Sequence, residues 1–170
     1  MKNSPPKTST PSIRPLSAQD LDKIEPWLNA SSTFREYGIT LETLRPAILA
    51  AMIDPANELL AADTETAFDE KFFSGFAWCV KKGGFGRSAY LRLIVVAPGA
   101  YSSGVGSALM AELERRHCLS DRLKGPGLFL LCTHTNTGAQ NFYAKLGYAR
   151  VGEIPSYLRP GLNEVIYWKP

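Results

Sequence analysis

The stretch "SAYLRLIVVAPGAYSSGVGSALM", residues 88–110, most constrains what this chain can become. A nearly unbroken apolar run, 88–98, is the mark of a strand covered on both faces and predicts the central strand of a sheet. It passes into a loop of glycines and serines, and then into "VGSALMAELERRHC", with apolar residues at 105, 108, 109 and 113 and charges between them. That spacing predicts an amphipathic helix. Small residues between strand and helix leave backbone N–H groups bare at a helix N-terminus, where the helix dipole favours an anion. Close packing of strand against helix explains Gly104 and Gly106 equally well.

Phosphate loops of this kind are distinguished by their side chains. A triphosphate loop needs G-x-x-x-x-G-K-[ST], because the lysine neutralises phosphate and the hydroxyl binds magnesium. Gly99 and Gly104 have that spacing, but Val105 and Gly106 follow. A dinucleotide fingerprint needs a third glycine and an acid on the next strand. Leu109 stands at the glycine, and "LFLLCTHT" ends in no acid. A loop whose amides alone hold a pyrophosphate, without metal, remains.

The 170 residues suit one domain, 12–170, behind a flexible tail, 1–11, rich in Pro, Ser, Thr and Lys. Nineteen Lys plus Arg against 16 Asp plus Glu leave a net charge of +3 with no basic run, which predicts no nucleic-acid partner. No apolar run reaches membrane-spanning length and "MKNSPPKTSTPS" lacks a signal-like apolar stretch, so a cytoplasmic chain without a membrane partner is expected. Cys79, Cys118 and Cys132 are too few and too scattered for a zinc site or disulfide framework and read as buried, inert thiols.

Before the central strand, the pattern predicts a short strand at 12–14 and a helix opened by Ser17 with Asp20 at the capping-box position, bent or ended by Pro26. A second helical stretch runs from Thr40 to a stop at Pro55, with Pro46 predicting a kink or two pieces. Strands follow at 58–64 and 71–82, the latter entering a hairpin turn at "GGFG". After the amphipathic helix come a strand at 128–135, a helix at 136–148 stopped by Gly147, and strands at 149–158 and 163–170. Strands flanking a helix pair in parallel and hairpin-linked ones antiparallel, so the α/β chain, of α+β type, should carry a mixed sheet.

"VVAPGAYSSGVGSALM" followed some thirty residues later by "NTGAQNFYAKLGY" resembles the GNAT superfamily of N-acetyltransferases. In that family a strand ending in V-x-P leads to [QR]-x-x-G-x-[GA], which wraps the pyrophosphate of acetyl-coenzyme A, and N-x-x-A-x-x-[FL]-Y-x-K-x-G-[FY] borders the pantetheine. Asn136, Ala139, Phe142, Tyr143, Lys145, Gly147 and Tyr148 all match the second element. Tyr101 departs from the Gln or Arg of the first. The resemblance implies a single-domain mixed sheet of about seven strands flanked by about four helices, with a splayed parallel strand pair at the cofactor site. It also implies direct acetyl transfer to a primary amine without metal, and a possible homodimer. A small-molecule or amino-acid-derived acceptor is the first reading; a protein lysine or N-terminus, or a non-catalytic coenzyme A module, are alternatives.

Carried onto this chain, the resemblance implies pantetheine pairing with the main chain of Ile94, Val95 and Val96, with an amide near Val96 polarising the thioester carbonyl. It implies pyrophosphate contacts from Tyr101, Ser102, Ser103, Gly104, Val105, Gly106 and Ser107, and a cofactor contact from Asn136, which also suits a helix cap. Tyr143 sits at the position of the family's catalytic acid. The base is open: the central strand has no carboxylate, and His134, Glu153, Glu42 or water are candidates. Trp27, Phe34, Tyr37, Tyr157 and Tyr167 are candidate lining of the acceptor pocket, although aromatics at such positions also suit a core.

Overall fold

The computed structural model describes residues 10–65, 70–118 and 126–170. Most of the expected tail, 1–11, lies outside them. Seven strands form one sheet in the order β1-β2-β3-β4-β5-β7-β6. In chain order they are β1 (Ser12–Pro15), β2 (Asn57–Glu65), β3 (Lys71–Gly84), β4 (Ser88–Val96), β5 (Leu128–Thr133), β6 (Ala149–Arg159) and β7 (Leu162–Lys169). The pairings β1 to β4 are antiparallel, as are those among β5, β7 and β6. Among the described residues only β4 and β5 run parallel, which makes the sheet mixed, and the strand order puts β4 in its middle.

Among the described residues the helices are α1 (Glu25–Ala30), α2 (Ser32–Tyr37), α3 (Leu41–Ile53), α4 (Val105–His117) and α5 (Thr137–Lys145), one more than the resemblance implied and in keeping with that fold. Ser17 and Asp20 do form a capping box, but on a 3-10 helix, Ala18–Lys23, and Pro26 starts α1 instead of ending a helix. The sequence reading did not separate α2, which is capped by Ser31 and closed by Gly38 at φ +65. Pro46 sits inside an uninterrupted α3. Its ring removes one backbone donor, and its exposed position lets the freed Glu42 carbonyl meet water.

Two apolar layers cover the sheet. On one face Leu60, Ala77, Leu91 and Leu130 pack with Val105, Leu109, Met110 and Leu113 of α4 and with Tyr143 of α5. On the other, Phe76, Trp78 and Val95 pack with Leu21, Ile24, Leu28 and Ile48. The strand alternation that sends neighbouring residues to opposite faces therefore feeds both layers from the same strands.

The parallel pair is short. Ala89, Tyr90 and Leu91 pair with Leu128, Phe129 and Leu130, and no pairing continues towards Val96 and Thr133. At the same level β4 bulges: Trp78 faces Leu93 and Cys79 faces Leu91, so Arg92 is the extra residue. A bulge bends its strand and raises local twist, which turns β4 away from β5. β4 is thus covered as the sequence predicts in its first half, whereas Arg92 is exposed and Leu93, Ile94 and Val96 are half-buried along the opening.

Candidate functional site

The splay opens a cavity of about 1290 Å³ bounded by β4, β5, the loop before α4, the start of α5 and the α1–α2 segment. Beyond Leu91 the edge of β4 that faces β5 has no strand partner among the described residues. The Ala97 amide donates to the Ser74 carbonyl at 2.8 Å on the β3 side. Successive N–H groups alternate between strand edges, so those of Val96 and Ile94 point into the opening. An extended chain of amides such as pantetheine can add there as a strand, and the Val96 amide is a fixed dipole for a carbonyl oxygen.

The loop that follows makes two tight turns. Ala100 donates to the Ala97 carbonyl at 2.8 Å, and Ser103 donates to the Ala100 carbonyl at 3.3 Å from its amide and 2.6 Å from its hydroxyl. Ser102 and Gly104 take left-handed φ values of +63 and +88, and Gly104 is the N-cap of α4. The amides of Tyr101, Ser102, Gly104, Val105, Gly106 and Ser107 have no acceptor among the described residues, and these same six residues line the cavity. Ser103, whose amide and hydroxyl are already bonded, does not line it. Ser103 therefore shapes the turn, while its six neighbours present donors at the positive end of a helix. A Cβ on Gly106 would lie 3.2 Å from the Phe142 ring, so the bare backbone keeps the gap between α4 and α5 open. A row of free amide donors at a helix N-terminus suits an anionic group such as a pyrophosphate. Tyr101 is 61% exposed and forms the rim.

Asn136 lines the cavity and caps α5: its side-chain oxygen accepts from the Ala139 amide at 3.0 Å, and its Nδ2 lies 3.5 Å from Thr33 Oγ1 on α2. The cap orients α5, which carries Tyr143. Tyr143 is 6% exposed, lines the cavity, and has no hydrogen-bond partner for its hydroxyl among the described residues. Burial drives its pKa well above the usual phenol range, so at neutral pH it is a proton donor.

On the opposite face, Trp27, Phe34, Tyr37 and Tyr157 line the cavity as the sequence suggested, whereas Tyr167 is buried beside Tyr143, with ring centroids 6.0 Å apart. The candidate bases lie elsewhere. The His134 ring accepts from the Asn163 amide at 3.1 Å, Glu153 is held by Arg150 and Asn163, and Glu42 is exposed on α3; none lines the cavity.

The carboxylate that does line it is Glu164 of β7, 3% exposed. Tyr37 donates its hydroxyl proton to Glu164 Oε1 in a short hydrogen bond. Burial raises the Glu164 pKa despite that bond, and burial together with the Glu164 charge pushes the Tyr37 phenol up to about 12. Sequence reasoning missed Glu164. Its signal was one acid in the otherwise apolar strand segment "EVIYW". Cys79, Cys118 and Cys132 are free and buried, and burial lifts their pKa values to about 12, 11 and 12, so they stay protonated at neutral pH.

Comparison with known proteins agrees with this architecture. A GNAT-family protein from Desulfovibrio desulfuricans superposes with a TM-score of 0.71 at 19% identity, covering 94% of this chain and 98% of that one. The spermidine/spermine N-acetyltransferase SpeG from Vibrio cholerae gives 0.66 at 17%, covering 95% and 93%. NAA60 from Arabidopsis thaliana, solved with a bisubstrate analogue, gives 0.69 at 15%, covering 94% and 97%. At such identities the likeness is one of fold. The family model described as "Acetyltransferase (GNAT) family" matches residues 21–148, most of the domain and both quoted motifs, and the chain belongs to that family of acyltransferases.

Proposed function

We propose that this protein transfers an acetyl group from acetyl-coenzyme A directly to the primary amine of a small molecule. The observation that carries the reading is the coincidence, in one cavity, of six unbonded amides, an unpaired β4 edge and a buried, protonated tyrosine. Acetyl-coenzyme A bound there supplies an activated thioester. The cradle from Tyr101 to Ser107 binds and orients through backbone donors that need no reorganisation. The Val96 amide stabilises charge on the carbonyl oxygen, and the Tyr143 hydroxyl donates its proton to the departing sulfur. The aromatic lining from Trp27, Phe34 and Tyr157 suits a compact, partly apolar acceptor.

The test is release of free thiol from acetyl-coenzyme A in the presence of a panel of small amines, with peptides bearing a free N-terminus or lysine as a second arm. Thiol release with small amines supports the reading. Release only with peptides moves the acceptor to a protein amine, and tight acetyl-coenzyme A binding without release from any amine or peptide makes the protein a coenzyme A binding module.

A further inference from the structure

We propose that Glu164, held by Tyr37, is the group that receives the acceptor's ammonium and takes its proton, and that it selects amines carrying a single positive charge. The inference rests on the acetyltransferase reading above. Among the described residues Glu164 and Arg92 are the only ionised side chains lining the cavity, and both lie on the α1–α2 side of the sheet, across the splay from Tyr143.

The geometry of Glu164 is unlike that of a buried structural carboxylate, which has its oxygens satisfied by several donors. Oε1 accepts from Tyr37; Oε2 accepts from no described residue and is not among the sealed, unpartnered atoms, so it opens to the cavity. Thr133, its pairing partner on β5, and Ile154 on β6 add no charge. Among the described residues the titratable and charged groups that interact with it are Tyr37, Tyr90, Cys132 and His134, with Arg92 and Tyr157 acting on Tyr90 and Glu36 on Tyr37. Burial raises its proton affinity above that of an ordinary carboxylate, which brings it closer to that of an amine.

In the step assigned here, the ammonium N–H bond breaks and its proton moves to Glu164 Oε2. The electron pair stays on nitrogen as the lone pair that attacks, and Glu164 later releases the proton to solvent. Tyr37 is a positioning residue: its hydrogen bond fixes the carboxylate rotamer and favours the ionised form. One carboxylate neutralises one ammonium, and Arg92, stacked 4.4 Å over the Trp78 ring on the same face, repels a second cation.

The experiment compares wild type, Glu164→Gln, Glu164→Asp and Tyr37→Phe in kcat/KM against pH, with acetyl-coenzyme A affinity measured alongside to confirm an intact fold. The carboxyl infrared band lost in Glu164→Gln is titrated in the ligand-free protein. Wild type should show an acid limb that coincides with that band and lies above the ordinary carboxylate range. Glu164→Gln should lose the limb and fall about 100-fold in kcat/KM, with Glu164→Asp recovering part of the rate. Tyr37→Phe should shift the limb to higher pH and lower kcat/KM by less than Glu164→Gln does. Spermidine should be used at least about tenfold less well than a monoamine of similar size, the loss expected for even one of its two uncompensated charges.

Retention of rate and limb by Glu164→Gln, in an active wild type, overturns this inference alone. Equal use of spermidine overturns the single-charge selection. No thiol release by wild type with any small amine or peptide overturns the acetyltransferase reading and this one with it.

Discussion

Tyr143 and Tyr101 are two tyrosines with opposite environments in one cavity. Tyr143 is buried, with its pKa driven up, and its hydroxyl has no protein partner among the described residues. Tyr143→Phe is therefore expected to lower kcat by about 100-fold while leaving acetyl-coenzyme A affinity unchanged, as read by steady-state kinetics and calorimetry. Unchanged kcat would remove Tyr143 from the chemistry. Tyr101 stands exposed at the rim of a cradle whose donors are backbone amides. Tyr101→Arg adds a fork of donors for phosphate, and because the site is exposed the gain is at most about fivefold, or about 1 kcal/mol. No gain in calorimetric affinity would show that the amides alone carry the grip. Both residues were legible in the sequence, one as a match to the family motif and the other as a departure from it. Glu164 was not, because its burial comes from α2 folding back over β7, a contact between residues 127 positions apart.

At the level of elements, α4 can serve as an anion site only if its first turn is seated on the sheet. Gly75 on β3 provides the seat: a Cβ there would lie 2.7 Å from Val105 Cγ1 and 2.9 Å from the Val95 carbonyl oxygen, and the backbone carbonyl cannot move aside cheaply. Gly75→Ala is expected to destabilise the fold by about 2 kcal/mol in urea unfolding and to weaken acetyl-coenzyme A binding, since the amides of Val105 to Ser107 shift with the helix. Wild-type affinity in a destabilised Gly75→Ala protein would show that the cradle is set by the loop and not by the helix seat. The strands from β2 to β7 were readable from alternation and apolar runs to within a few residues. The bulge at Arg92 was not, because a bulge is a mismatch between two strands and has no signature in either one alone.

Across the whole molecule, an ion cluster ties the first strand to the domain. Arg14 on β1 bonds Asp20 in the 3-10 helix at 2.7 and 2.8 Å and Asp63 on β2 at 2.7 Å. Burial opposes ionisation of Asp20, but hydrogen bonds from Arg14 and Ser17 outweigh it and hold its pKa at about 2. A carboxylate with a lowered folded pKa stabilises the fold above its unfolded pKa, near 4, and loses that contribution as pH falls towards 2. Asp20→Asn should therefore cost about 2 kcal/mol at neutral pH, and the gap to wild type should close between about pH 4 and 2 in urea unfolding. A gap independent of pH would assign the loss to packing and not to charge.

Local sequence determined the strand–glycine-loop–helix unit, the caps at Ser17 and Asn136, and the pairing of two motifs that marks the family, because each depends on residues close along the chain. Tertiary structure alone decided that β7 inserts between β5 and β6 and that β4 leaves β5 after Leu91. It also decided that Ser103 turns out of the cradle and that Glu164 shares a cavity with Tyr143. These outcomes depend on strand register and on helices packing over distant strands, and periodicity within a single segment carries no information about either.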